Sequence, residues 1–540
     1  MIVALLSMVA RAAYPEAVTA CLDQLDVACA DRALVALGAA RSSDPDVVAA
    51  LAHTRFFDGN YPEAYDAMQT AVGLGFEDRY AELPLYERTL YATAGWVEES
   101  RGRFTVRFRP GIDALLIDDA FAAVVGSDRH IASLLGGSPP GVTRVEIFPN
   151  GRSFVAASSL DLEDVETTGV VGLAKWSRLL VTSPRALPDG YPWQDTIAHE
   201  YIHLVVAHHT NDLAPVWLQE AIAKYLDARW RDGADGFRLT VRQQGLLAEA
   251  LQNDNLVTFE EMHPSLAKLP DRDRAGLAYA QLATLMQFCF DSGGDAVLRE
   301  ALPRIASGED PREALARSAG FASFGALFAG WREWIEQQPL VQKKIGELRT
   351  VLDGADELDA DPVMSERQDL ARFVTIGDLL RERGHVEASL VEYAKAVAPD
   401  EPPSPTLTHR IALAHLDLGD TKQAKLLLEQ SLVDYPEYAA SHATLGAIHL
   451  KEGRIADALA AYERAVAIHP FDLEAQQGLV RAARAAGDEA LVRKHEEALR
   501  IRARGGDDVD REPLHTRSGE YELPSRTRDA LRSAEELLKK

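Results

Sequence analysis

His199-Glu200-Tyr201-Ile202-His203 leaves the centre of this chain little freedom. On a helix, positions i and i+4 share one face. Both imidazoles therefore aim at one point, where they can hold a zinc ion. Glu200 sits one step around the helix, near enough to act on water there without taking a coordination position. Glu220, in Trp217-Leu218-Gln219-Glu220, offers a third ligand. Two histidines and one glutamate leave the fourth position open, and an open position separates a catalytic zinc from a structural one.

The flanking residues support this placement. Gly190-Tyr191-Pro192-Trp193-Gln194-Asp195 reads as a turn and a helix start. Leu204-Val205-Val206-Ala207 continues an apolar helix that would be buried, and Asn211 to Pro215 breaks it. Pro215 opens a second helix, Val216 to about Arg229, with Glu220 early in it. The alternative is a core helix with two satisfied histidines and a chance glutamate. Buried His and Glu without partners are costly. Two of each on adjoining apolar helices call for a common partner, which a metal supplies.

Ala198 to His203, followed by Pro215-Val216-Trp217-Leu218-Gln219-Glu220-Ala221-Ile222-Ala223-Lys224-Tyr225, resembles the peptidase MA-like gluzincins. Their pattern is H-E-x-x-H, then P-x-W-L-x-E-G-x-A-x-Y. Upstream, Arg103 to Phe108 looks like that family's first strand. Gly169 to Ala174 and Arg178 to Pro184 look like the segment that forms its substrate-side edge strand. The resemblance covers about residues 101–337. Ala221 stands where the family usually has glycine, which puts substrate fit in question more than metal binding.

The resemblance implies a zinc metallopeptidase with one catalytic Zn²⁺ held by His199, His203 and Glu220. The ion acidifies water and polarises the scissile carbonyl. Glu200 accepts the water's proton and later delivers it to the leaving amine. Tyr279 is the catalytic candidate for stabilising the oxyanion, since related gluzincins often place a tyrosine donor on a downstream helix. Its alternative is a packed aromatic on an amphipathic helix. His208 and His209 are rivals for that role, or simply helix C-terminal residues favoured by the macrodipole. Asp227 is placed to orient a ligand histidine, or is a solvated helix residue.

A second pattern governs the C-terminal third. Gly419, Gly453 and Gly487 recur at a spacing of 34. Ala424 and Ala458 follow their glycines by five residues, Pro436 and Pro470 by seventeen. This period, with small residues at fixed offsets, resembles tetratricopeptide repeats, paired helices that stack into a solenoid. Gly384 begins a further unit one residue out of register. Gly59-Asn60-Tyr61-Pro62-Glu63-Ala64 is a candidate N-terminal unit, and Ala17 to Gly38 looks like a preceding helix pair; this region resembles the repeat more weakly.

The expected fold class is α+β: a gluzincin-like domain with a mixed sheet lobe and a helical lobe, flanked by all-α tetratricopeptide-repeat regions. Residues 1–95 are read as the N-terminal helical region, 101–337 as the metal domain and 338–366 as a linker, acidic from Glu347 to Glu366. Residues 367–502 are read as the solenoid and 503–540 as a mobile segment with a terminal helix from Thr527 to Lys540. Within the metal domain, Phe104-Val106-Phe108 alternate as a half-buried strand, Arg144 to Phe148 is a second and Leu179 to Ser183 a third. Ile112 to about Leu135 is helical with a break at Gly126-Ser127. Val241 to Gln337 is helical.

Composition narrows the function. A net charge of -26 and no evident basic stripe argue against nucleic acid and anionic lipid. No apolar run reaches the length of a membrane-spanning helix. Ile2 to Ala10 resembles a signal-peptide apolar region and Ala10-Arg11-Ala12 a cleavage site, without the positive start; residues 1–12 are then a signal segment or the first amphipathic helix. The secretory reading gives an extracytoplasmic location, periplasmic or secreted; the alternative is a cytoplasmic one. Cys21 and Cys29 either bridge two helices, which fits an oxidising compartment, or are buried free thiols. Cys289 reads as a core residue.

The leading reading is a zinc metallopeptidase, endopeptidase or aminopeptidase-like, acting on a protein or peptide substrate, with repeats that recruit protein partners. The alternative is a non-catalytic repeat scaffold whose central domain keeps the shape for binding. A metal-dependent hydrolase of another bond is a third reading, because the pentad specifies water activation and not the bond cleaved. The repeats themselves bind partners, or only shield surface or hold a dimer.

Overall fold

In the computed structural model, the described residues are 14–24, 26–79, 81–160, 165, 169–175, 177–231, 237–263, 265–351, 357–397 and 403–505. The signal segment and the terminal helix expected from Thr527 lie outside them. The chain divides into two compact units. The first takes its residues from 1–183, 193–239 and 246–342, the second from 184–192, 240–245 and 343–540.

The first unit holds a five-stranded sheet among the described residues: β1 (Val97–Arg101), β2 (Phe104–Phe108), β3 (Thr143–Phe148), β4 (Gly172–Lys175) and β5 (Arg178–Thr182), in the order β1-β2-β3-β5-β4. β2, β3 and β5 run parallel, with Val106 beside Val145 and Val145 beside Leu179. β1 and β4 are antiparallel edge strands. β2 is buried at Phe104, Thr105, Val106 and Phe108 rather than alternating. Parallel strands are covered on both faces, so the expected half-buried pattern does not apply.

The helix after β2 begins as a 3-10 turn at Ile112–Leu116 and runs unbroken from Ile117 to Leu135. The break expected at Gly126-Ser127 is absent. Gly126 is instead a point of close approach, where an added Cβ would lie 2.8 Å from the Trp230 carbonyl oxygen.

The N-terminal helices belong to this unit. Glu16–Asp23 and Val27–Ala36 are joined by a Cys21–Cys29 disulfide. Pro45–Phe57 and Tyr61–Gly73 turn at Gly59 (φ 73°), as the glycine of a helix pair should. They reach the sheet through a buried polar network. Arg178 and Glu146, neither exposed at all, pair at 3.0 Å. Arg178 donates to the Tyr61 hydroxyl at 2.7 Å, Tyr61 donates to Glu146, and Arg107 pairs with Glu146 at 3.1 Å. Charges this deep persist only when each has partners.

The helical lobe comprises Trp193–Thr210, Val216–Leu226, Arg272–Gly293, Ala296–Ala306, Pro311–Ser318 and Phe324–Glu336, with Val241–Gln252 crossing the division between units. Cys289 is buried in the Arg272–Gly293 helix, as expected of a core residue.

The second unit is built of helix pairs: Gln368–Glu382 with Val386–Lys395, Pro405–Asp417 with Thr421–Asp434, Ala439–Lys451 with Ile455–Ile468, and Leu473–Ala486 with Glu489–Gly505. Gly384, Gly419, Gly453 and Gly487 sit at the intra-pair turns with φ of 75 to 81°. Ala424 and Ala458 are fully buried, which allows the close packing that their offset implied. Leu358, Val363 and Met364, within the segment read as a linker, are buried in this unit's core.

Candidate metal centre

The Trp193–Thr210 helix buries most of its residues, among them Ile197, Ala198, Tyr201, Ile202, Val205 and Val206. Tyr201 fixes its position: the hydroxyl hydrogen-bonds Asp128, and Arg103 donates to that hydroxyl. Asn211 and Asp212 end the helix in the left-handed region, φ 52° and 59°, a conformation these short polar side chains tolerate. Pro215 then caps Val216–Leu226, whose buried Trp217, Leu218 and Ile222 set the rotation of Glu220. Ala221 is fully buried, packed in the helix beside the third ligand.

These helices bring His199, His203 and Glu220 together, with one ligand atom from each within 4.8 Å of the others. Oε2 of Glu220 lies 3.3 Å from Nε2 of His199 and 3.8 Å from Nε2 of His203. That oxygen is buried and has no hydrogen-bond partner. Ligand bonds of about 2.1 Å in tetrahedral array set donor atoms roughly 3.4 Å apart. The three donors are thus spaced for a shared cation, and two imidazoles converging on one buried carboxylate oxygen are a donor set that fits zinc.

The electrostatics are those of a tightly coupled site. Burial opposes charge on His199, but Asp227 and Glu220 outweigh it and raise its pKa to about 10. Burial lowers His203 to about 4. Burial would raise Glu220, yet the two histidines hold it down at about 2. Burial, with a contribution from Glu220, lifts Glu200 to about 7, against the lowering influence of His199 and of a hydrogen bond from the Ala174 backbone N–H. Nothing in the local sequence pattern says which backbone group of an edge strand faces a helix.

Tyr279 is partly buried on the Arg272–Gly293 helix and reaches the site: its hydroxyl hydrogen-bonds Glu220. Burial, then Glu220 and Glu200, push its pKa well above the ordinary tyrosine value, so it is a neutral donor. Oδ2 of Asp227 faces Nδ1 of His199, the position expected of an orienting carboxylate. His208 and His209 lie in the last turn of their helix, with Nδ1 of His208 3.4 Å from the Gln24 carbonyl and Nε2 of His209 3.4 Å from that of Gly137. Both contacts are with backbone carbonyls of other segments.

Residues 166–337 match the model of the Peptidase MA superfamily, and residues 409–473 that of the tetratricopeptide repeat. No match emerges among curated proteins. Among solved structures, yeast LTA4 hydrolase in complex with bestatin shares 13% identity, with 75% of this chain and 67% of that chain covered and a TM-score of 0.26. Native leukotriene A4 hydrolase from Saccharomyces cerevisiae gives 13%, 74%, 67% and 0.27. The Cut9–Hcn1 hetero-tetramer of the APC/C gives 13%, 93%, 81% and 0.22. The two family matches stand on their own.

Proposed function

We propose that this chain, which carries a Peptidase MA superfamily domain and tetratricopeptide repeats, is a zinc-dependent metallopeptidase. The observation that carries the reading is the buried Oε2 of Glu220, 3.3 Å from Nε2 of His199 and 3.8 Å from Nε2 of His203, with which it shares one small volume. His199, His203 and Glu220 would hold the ion. Zinc, when bound, supplies Lewis-acid polarisation of the scissile carbonyl and makes water acidic near neutral pH.

The remaining steps belong to the protein's own residues. Glu200, buried beside the ligand histidines, takes a proton from the attacking water on its carboxylate and hands it to the leaving nitrogen. Tyr279 holds Glu220 in the resting site and is the hydroxyl donor for the negative charge that develops on the carbonyl oxygen. Asp227 fixes the ring of His199 from behind. The paired helices of residues 367–502 would recruit protein partners or substrate through their exposed faces. The Cys21–Cys29 disulfide supports an extracytoplasmic location, since such bonds persist in oxidising compartments.

The reading is tested by removing and restoring the metal. Peptide cleavage should be lost on chelation and return with one equivalent of zinc. Cleavage that survives complete removal of metal contradicts it.

A further inference from the structure

Glu200 is 8% exposed, and its side chain meets the sheet at a residue that has none. A Cβ built on Gly172 would stand 2.9 Å from Oε1 and 3.1 Å from Cγ of Glu200. It would also lie 2.5 Å from Cγ2 of Thr196, one helical turn before Glu200 on the same face. Two residues further along β4, the Ala174 N–H donates to the Glu200 carboxylate.

The antiparallel ladder explains why both residues turn the same way. Thr182 N–H donates to the Val171 carbonyl at 2.8 Å, which directs Val171 toward β5. Backbone groups alternate along such a strand, so Gly172 and Ala174 direct theirs away from β5. Glu200 therefore occupies a slot with an open floor at Gly172, a donor at Ala174 and Thr196 as its side wall.

We propose that Gly172 and Ala174 are positioning residues for Glu200: the missing side chain at 172 admits the carboxylate, and the N–H at 174 holds it in the orientation that proton transfer needs. This rests on the reading of Glu200 as the proton carrier. A free glutamate side chain has several rotamers, and a displacement of about 1 Å in a catalytic group can cost on the order of a hundredfold in rate. The slot removes that freedom. A glycine kept only for strand packing would be indifferent to the length of residue 200, whereas a positioning glycine depends on it.

The test uses the full-length, zinc-loaded protein carrying Gly172→Ala with Thr196→Ser. The second change removes Cγ2, so the remaining clash is with Glu200, and Thr196→Ser alone is the reference. Exchange of the Ala174 amide, read by hydrogen–deuterium mass spectrometry, should speed up at least tenfold. On a peptide that the wild type cleaves, kcat should fall at least tenfold with KM within threefold and zinc content unchanged. Glu200→Asp, which retracts the carboxylate by one methylene, should cost less in this background than in the wild type. Unchanged Ala174 exchange, or strictly additive losses with Glu200→Asp, would overturn the proposal.

If Gly172→Ala does not fold, Glu200→Ala in the otherwise wild-type chain asks the same question. It should free the Ala174 amide, and an unchanged exchange rate would count against the proposal. The exchange readout needs no substrate. Protection lost in a protein whose wild type cleaves nothing supports the slot and sinks the peptidase reading. Protection unchanged in an active enzyme sinks the slot alone.

Discussion

Oδ2 of Asp227 faces Nδ1 of His199 across 3.6 Å, on the opposite side of the ring from the nitrogen that meets Glu220. Lys224 holds the same carboxylate oxygen at 2.9 Å. A carboxylate behind a ligand histidine fixes its tautomer and raises its basicity. Asp227→Ala should weaken zinc binding roughly ten- to hundredfold, measured by competition with a chromogenic chelator. Unchanged affinity would reduce Asp227 to a partner of Lys224.

Tyr279 hydrogen-bonds a proposed metal ligand with a hydroxyl that stays protonated. If it also donates to the developing oxyanion, Tyr279→Phe should lower kcat by about a hundredfold, the effect typical of losing one such donor. Zinc affinity should change by much less. A variant that loses zinc and keeps its kcat when reloaded would confine Tyr279 to supporting Glu220.

Asp189 lies in the second unit, buried, with Oδ2 unpaired. Burial, then Glu357 and Asp361, raise its pKa to about 7, and Arg410 only partly offsets them. The unfolded carboxyl ionises near 3.9. Between that value and about 7 the unfolded chain releases a proton that the folded chain keeps, so stability falls as pH rises through this window. Asp189→Asn should therefore raise the melting temperature at pH 8 and far less at pH 4. The ceiling is roughly 4 kcal/mol. An equal shift at both pH values would argue against a titrating Asp189.

The repeats should be intolerant of one methyl group. A Cβ on Gly478 would stand 2.1 Å from Cε1 of Tyr462, and one on Gly446 would stand 2.8 Å from Cγ of the same ring. Tyr462 is itself buried, so it has little room to give. Gly478→Ala should cost about 1–3 kcal/mol of stability in denaturant unfolding, the usual penalty for overpacking. Adding Tyr462→Ala should remove most of that clash, and an undiminished penalty in the double variant would place the strain elsewhere.

What was legible in the sequence was periodic. His199 and His203 four apart, Glu220 after a proline-opened helix and glycines 34 apart each follow from local geometry. What was not legible depends on contacts distant in sequence. Glu146 sits in the strand segment Arg144-Val145-Glu146-Ile147-Phe148 and meets Tyr61, 85 residues away, and Arg178, 32 away. No local pattern marks such a charge as buried. Gly126 illustrates the opposite case: glycine and serine together read as a break, yet the helix continues, and Trp230 packs where a side chain at 126 would stand. The family resemblance marks Gly169 to Ala174 as part of an edge, but no local pattern places its backbone beside Glu200.

The central claim is that Glu200 drives peptide-bond hydrolysis, and Glu200→Gln tests it most directly. The purified protein and this variant, both loaded with zinc, are incubated with a diverse peptide pool, and new termini are read by mass spectrometry. The account predicts new termini from the wild type and a loss of about 10²–10⁴-fold in the variant with zinc still bound. Cleavage by both at equal rates, or by neither, would contradict it.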